Sequence, residues 1–312
     1  MAQEARDYYR NGLTYLQSKQ YAKAEVEFRS ALNADPQLFD AFYQLAYLYS
    51  ATGKYKEGEQ AIKRYLAVTT ETAEALYLLG YLQFRQARVT DSIESLTKSL
   101  SLKPTAQAHK ILGLNFVIAD QPERIQTELT KAKDLDPNDA ETAYFLSRFY
   151  YTQNRFYQAI SEAELAIKLN PGYVKAFDNL GLCYEGLGEK EKAIEYYPQA
   201  IALNEKQAGK DEWPYINLGR LLAQKTQLAE AVSYLKRAVA INPASAMARY
   251  QLGSALVKLS RHGEAVDEFI ASARLDESYP DPHYQLSLVY RKLGRTGDAN
   301  REMEIFKKLK GY

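Results

Sequence analysis

The chain carries a single cysteine, Cys183, in 312 residues, which excludes an internal disulfide framework and any metal site built from several thiolates. Glycine and proline are also scarce, at 16 and 10, too few to punctuate the strands and turns of a β-rich chain this long. No run of about 18 apolar residues occurs, so no segment reads as a transmembrane helix. The opening MAQEARDYYRNGL lacks the apolar core of a secretory signal. The cytoplasm is therefore the default expectation, though a leader could precede this start. Charge of one sign is missing too: Lys+Arg 40 against Asp+Glu 39 gives a net charge of +1, which supplies no global field toward nucleic acid or anionic lipid. HExxH, CxxC, GxSxG, GxGxxG and GxxxxGK spacings are all absent, and with them the usual zinc, redox, hydrolase and phosphate-cradling signatures. The expectation is a non-enzyme without metal or cofactor.

What is abundant is tyrosine, 26 against 11 phenylalanines. Apolar residues recur three and four apart almost throughout, and no clean alternating segment of useful length appears, so the chain is read as all helix.

A short pattern recurs along it. Its copies are NGLTY (11–15), LAYLY (45–49), LGYLQ (79–83), LGLNF (112–116), LSRFY (146–150), LGLCY (180–184), LGRLL (218–222), LGSAL (252–256) and LSLVY (286–290). Their spacing is 34 residues, except for 33 before the fourth copy and 38 before the seventh, where Ala208 to Asp211 are extra. The second position never exceeds serine in size, so a helix must approach closely there. Twelve residues later stand Ala24, Gly58, Ser92, Ile125, Ala159, Ala193, Ala231, Ala265 and Ala299, small in all but one copy. Pro36, Pro104, Pro137, Pro171 and Pro243 close five copies, each lacking the donor a helix needs to continue.

In these landmarks the chain resembles the tetratricopeptide repeat family, whose unit is a helix-turn-helix of about 34 residues. The repeats fall at 5–38, 39–72, 73–105, 106–139, 140–173, 174–207, 212–245, 246–279 and 280–312. The resemblance implies one α-solenoid, a right-handed superhelix of antiparallel hairpins, with first helices lining the concave side and second helices the convex side. One hairpin cannot bury its own apolar faces, so neighbours must stack. The charged REMEIFKKLKGY of repeat nine is expected to serve as its own cap. Pro198 falls inside the second helix of repeat six, where a kink is expected at a cost of roughly 3 kcal/mol. With the four-residue insertion it suggests an irregular joint near 198–211.

His109 and His283 share the packing position of Tyr8, Phe42, Phe177 and Tyr215 and are read as structural, whereas His262 falls at a turn and is expected to be solvated. Cys183 stands where other copies have leucine, alanine or valine and is read as a buried, inert thiol.

The groove stripe on each first helix lies beside the residues that pack on its partner helix. It is rich in aromatics, among them Tyr43, Tyr47, Tyr77, Tyr81, Tyr144 and Tyr151. Either these rings pack between repeats, or some stay exposed as amphipathic anchors. In repeats five to seven the stripe turns polar, with Arg148, Lys175, Asp178, Asn179, Glu185, Asn217 and Arg220, and Trp213 at its edge. Asn179 and Asn217 hold equivalent places, where an amide can both donate to and accept from an extended peptide. The co-chaperone branch of the family clamps a terminal carboxylate with a lysine, asparagine and arginine set. Here Lys110 is followed by Leu114 and Phe145 where asparagine and arginine would be needed, which disfavours a chaperone-tail receptor.

The resulting expectation is a non-catalytic scaffold or adaptor that binds a protein or peptide segment in the concave groove, as a monomer or with weak self-association. One alternative is an assembly component acting through self-association or its convex face. An RNA-binding helical repeat is a third, opposed by the mixed signs of the groove.

Overall fold

The computed structural model describes residues 2–311, with eighteen α-helices and no strand among them. By internal contacts the chain forms two compact units, one up to Phe149 and one from Tyr150. The first contains the hairpins α1 (Ala2–Gln17) with α2 (Tyr21–Ala34), α3 (Asp40–Thr52) with α4 (Tyr55–Leu66), α5 (Ala73–Arg85) with α6 (Val89–Leu102), and α7 (Ala106–Ile118) with α8 (Pro122–Leu135). The division falls inside α9 (Ala140–Thr152). The second unit contains α10 (Phe156–Leu169), then α11 (Val174–Gly186) with α12 (Lys190–Lys206), α13 (Trp213–Gln224) with α14 (Leu228–Ile241), α15 (Ala246–Lys258) with α16 (His262–Leu275), and α17 (Asp281–Lys292) with α18 (Thr296–Lys310).

In most hairpins the recurring small residue meets a large one sixteen positions later; repeat five, with Ser147 and Ala163, is small on both sides. A Cβ added at Gly181 would stand 2.5 Å from the Tyr197 ring, and one at Gly12 would stand 2.6 Å from Phe28. Gly80, Gly219 and Gly253 face Leu96, Leu235 and Phe269 in the same way. Repeats two and nine have Ala46 and Ser287 at this place, and the residue sixteen on is a β-branched Ile62 or an unbranched Met303. On the second helix Ala24, Ser92, Ala193, Ala231, Ala265 and Ala299 are fully buried, so both backbones are close at the crossing. Where serine replaces alanine its hydroxyl is used: Ser92 Oγ donates to the Gly80 carbonyl at 2.7 Å and Ser99 Oγ to that of Ala73 at 2.7 Å.

Connections alternate between two types. Within hairpins, one residue takes the left-handed conformation: Lys19, Gly53, Ala87, Asp120, Asn154, Gly188, Thr226, Ser260 and Gly294, with φ from 50° to 80°. Only three of these are glycine, the residue that adopts this region without penalty. Between repeats, helices end two residues before Pro36, Pro104, Pro137, Pro171 and Pro243. There Asp35, Asp136, Asn170 and Asn242 each accept, through Oδ1, the backbone N–H two residues on at 2.9–3.2 Å, an Asx turn that caps the chain reversal.

Repeat six departs from its neighbours. Its helix α12 runs 17 residues against 14 for α10 and α14. It continues through Pro198, which is exposed to solvent. The insertion adds roughly a turn of helix and then a pinned loop: Ala208 is left-handed, Gly209 N donates to the Asn204 carbonyl at 2.7 Å, and Asn204 Nδ2 donates to Asp211 O at 2.9 Å. Gln207 Nε2 also donates to the Gly172 carbonyl at 2.7 Å, tying this loop to the one before it.

Two substitutions test this packing. Gly181→Ala should lose about 1–2 kcal/mol, the overpacking cost against Tyr197 less alanine's gain in helix propensity. Thr226→Gly should gain about 0.5–1 kcal/mol, because a β-branched residue is strained at its φ of 64° while glycine is not, less the entropy glycine adds to the unfolded chain. Denaturation followed by circular dichroism reads both, and a neutral Gly181→Ala would remove the close approach as the determinant of hairpin closure.

Candidate functional site

Tyr43 and Tyr47 lie one turn apart on α3, as do Tyr77 and Tyr81 on α5, so each pair shares a face. The four rings line one cleft of about 400 Å³, completed by Ser50, Ala73, Glu74, Leu78 and the start of α7 at Thr105 and Gln107. Both expectations for the tyrosine stripe apply here. Tyr43 is half-buried with its ring 5.4 Å from that of Tyr65 on α4, whereas Tyr47 is 53% exposed. Tyr77 and Tyr81 stack on each other at 6.4 Å, and Arg85 donates to the Tyr81 hydroxyl at 2.7 Å.

Glu74 is the only charged residue lining the cleft among those described. Its pKa is lowered by a backbone N–H at the start of α5 and by Lys103, whose Nζ lies 3.2 Å away. Burial raises the Tyr43 pKa, and the nearby Glu74 charge adds to that. Glu74, Tyr77 and Tyr81 continue one helical stripe at i, i+3 and i+7, so the same spacing rule that selects the tyrosines also reaches this carboxylate. Tyr144 packs on Phe145 at 5.4 Å, and neither it nor the exposed Arg148 lines the cleft. Lys110 Nζ is held by Asp139 at 2.8 Å and Glu141 at 2.7 Å, so the one lysine with a clamp-like position is already neutralised.

In the second unit the polar stripe pairs with itself. Asn217 Nδ2 donates to both oxygens of Asp178, at 2.9 and 3.1 Å, although the two residues are 39 apart in sequence. Arg220 Nη2 meets Glu185 Oε2 at 2.5 Å, and the Tyr197 hydroxyl donates to the same oxygen at 2.6 Å. Burial lowers the Arg220 pKa, but Glu185 outweighs it and holds the guanidinium above its ordinary value. Burial and then the Glu185 charge push the Tyr197 hydroxyl up. Asn179 is 1% exposed, with Nδ2 3.8 Å from Cys183 Sγ. Both amides expected to meet a peptide backbone are thus turned inward, Asn217 because a charged carboxylate one repeat earlier is a stronger acceptor within reach, and Asn179 buried on its own helix beside Cys183. Lys175 and Trp213 face solvent, and Tyr151 packs edge-on against Phe156 at 5.9 Å.

His109 and His283 each place Nδ1 2.6 Å from a carboxylate nineteen residues on, Glu128 and Glu302. Arg249 reaches Glu268 in the same register, so this position latches the two helices of a hairpin. His262 differs from expectation: it is half-buried, and its Nδ1 has no hydrogen-bond partner. Cys183 is fully buried. No helix is long and apolar enough to cross a membrane among the described residues.

The architecture defines a class, the all-α helical-repeat solenoid, with the protein-interaction scaffold role of such repeats. Tetratricopeptide repeat models match residues 15–82, 73–105, 140–173, 173–244 and 216–281, and the chain belongs to that family, whose members are generally non-catalytic. Mouse DnaJ homolog subfamily C member 3 is 24% identical over 210 residues, 62% of this chain and 42% of that protein. The Arabidopsis thaliana protein CTR9 homolog is 23% identical over 268 residues, 82% of this chain and 25% of that one. The chain thus spans less than half the length of these curated relatives. Among solved structures, Pseudomonas aeruginosa PilF superposes with a TM-score of 0.56 at 22% identity, over 66% of this chain and 98% of its own. PilW, a widely conserved type IV pilus biogenesis factor, gives 0.60 at 17%, over 66% and 94%. At these identities they share the fold alone.

The internal pairing of the polar stripe makes Arg220→Glu a stability variant. It sets two carboxylates against each other beside Tyr197, and the loss should be about 2 kcal/mol or more. A clear drop in the thermal midpoint is expected, and an unchanged midpoint would mean that Arg220 is not held by Glu185.

Proposed function

We propose that the chain is a non-catalytic scaffold that takes an extended segment of a partner protein across α3, α5 and α7 in its first unit. The observation that carries this is the cleft bounded by Tyr43, Tyr47, Tyr77 and Tyr81. Tyrosine supports such a role because it offers a large rigid contact and a polar tip while giving up only two torsions. Three of the four rings are partly held by neighbouring side chains, so little ordering is needed when a ligand arrives. The cleft's mixture of ring faces, hydroxyls and one carboxylate suits a segment with both apolar and polar contacts.

Selection from a random-peptide display library on the intact protein tests it. Selected peptides should bind the wild type and weaken about tenfold or more with Tyr47→Ala and Tyr77→Ala together, the scale expected for central aromatic anchors. Trp213→Ala should change little. Peptides that bind the double tyrosine variant as tightly as the wild type would overturn the assignment.

A further inference from the structure

Among the described residues ten aromatic rings have one of the chain's own cations over them. Arg64, Arg85, Arg124, Arg155, Arg237 and Arg295 each lie over an aromatic ring, with the guanidinium carbon 3.8–5.6 Å from the centroid. Lys23, Lys54 and Lys192 do the same at 5.0–5.5 Å. Among the described residues no such cation lies over Tyr43, Tyr47 or Tyr77, which gather around one cleft, whereas its fourth ring, Tyr81, has Arg85 5.7 Å from the centroid. Lys110, which influences Tyr77, is tied to Asp139 and Glu141. The cleft therefore has negative ring faces and a carboxylate at Glu74 with no cation of the chain set over these three rings.

Resting on the scaffold reading above, we infer that the cleft selects an arginine side chain of the bound segment, its guanidinium stacked on the tyrosine rings and directed at Glu74. Charge and shape both argue for this. A guanidinium is planar and weakly hydrated, stacks on ring faces, and still offers donors in its plane to the carboxylate and to the tyrosine hydroxyls. A purely apolar side chain would cover the Glu74 carboxylate without replacing its lost water. Lysine offers a point charge on a flexible stem, without the planar face that stacks. The Glu74 pairing with Lys103 does not block the exchange: both side chains are more than half exposed, and such surface pairs are weak. The two pairs Tyr43/Tyr47 and Tyr77/Tyr81 come from successive repeats, so the arginine would be read where two repeats meet.

The test uses three capped tripeptides, alanine-Xaa-alanine, in which Xaa is arginine, its neutral isostere citrulline, or norleucine. Binding is followed by the NMR signals of the tyrosine rings in the intact protein, assigned by single Tyr→Phe substitutions. The arginine peptide should move the signals of Tyr43, Tyr47 and Tyr77 and bind about three- to fivefold tighter than the citrulline peptide. Glu74→Gln, with unchanged circular dichroism, should bring arginine down to the citrulline level. Norleucine binding as tightly as arginine at the same rings would overturn the inference and leave the scaffold reading standing, with an apolar anchor in the cleft. Arginine affinity unaffected by Glu74→Gln would also overturn it. Failure of all three peptides to move these rings would remove both the inference and the cleft as the binding site.

Discussion

Everything in this chain depends on how closely two helices of one hairpin can approach. In every repeat but the fifth, the crossing pairs a residue no larger than serine on the first helix with a larger side chain sixteen positions later. Interiors pack at crystal-like density, so the small and large members are not independent. A larger residue at Gly181 must move Tyr197, and Tyr197 in turn holds Glu185, the partner of Arg220. Hairpin closure thus positions the first-helix side chains that face away from the crossing, in both units, and those side chains are what a scaffold uses.

Much of this was legible from spacing alone. The recurring pentads, the small residues twelve positions on and the closing prolines each report a local constraint, and local constraints survive in sequence. All nine hairpin turns fall in register, although only three carry glycine. The positions of Tyr43, Tyr47, Tyr77 and Tyr81 follow from the same periodicity, and the structure gathers them around one cleft. Partnerships between repeats were not legible. Whether Asn217 faces a ligand or a neighbour depends on Asp178, 39 residues away, and nothing in either segment announces the pairing. The pinned loop after α12 was hidden for the same reason, since Gln207 finds its acceptor at Gly172, 35 residues earlier. A charge at a helix start reads as a favourable dipole partner, which masks Glu74 in the sequence although it sits on the tyrosine stripe. A histidine at a turn is expected to be solvated, yet packing half-buries His262.

The two units divide the labour differently. In the second, polar groups on the first helices α11 and α13 satisfy one another, which spends their hydrogen-bonding capacity internally. In the first, the equivalent stripe is aromatic, and its rings are held at their edges while Tyr47 stays open. A repeat array tolerates such variation because each hairpin's stability rests on its own crossing and its neighbours, not on the face turned to solvent. Ligand choice can therefore reside in a few side chains that the repeat pattern leaves free.

The central claim, that a partner segment lies in the tyrosine cleft, is tested most directly by site-specific photo-crosslinking. A benzophenone amino acid placed at Tyr47 would be compared with one at Tyr157, which is 77% exposed on the second helix α10, in a lysate of the source cell. The account predicts discrete adducts from position 47, whose cross-linked peptides share one stretch of a partner chain, and none from position 157. Adducts confined to position 157, with none at 47, would contradict it.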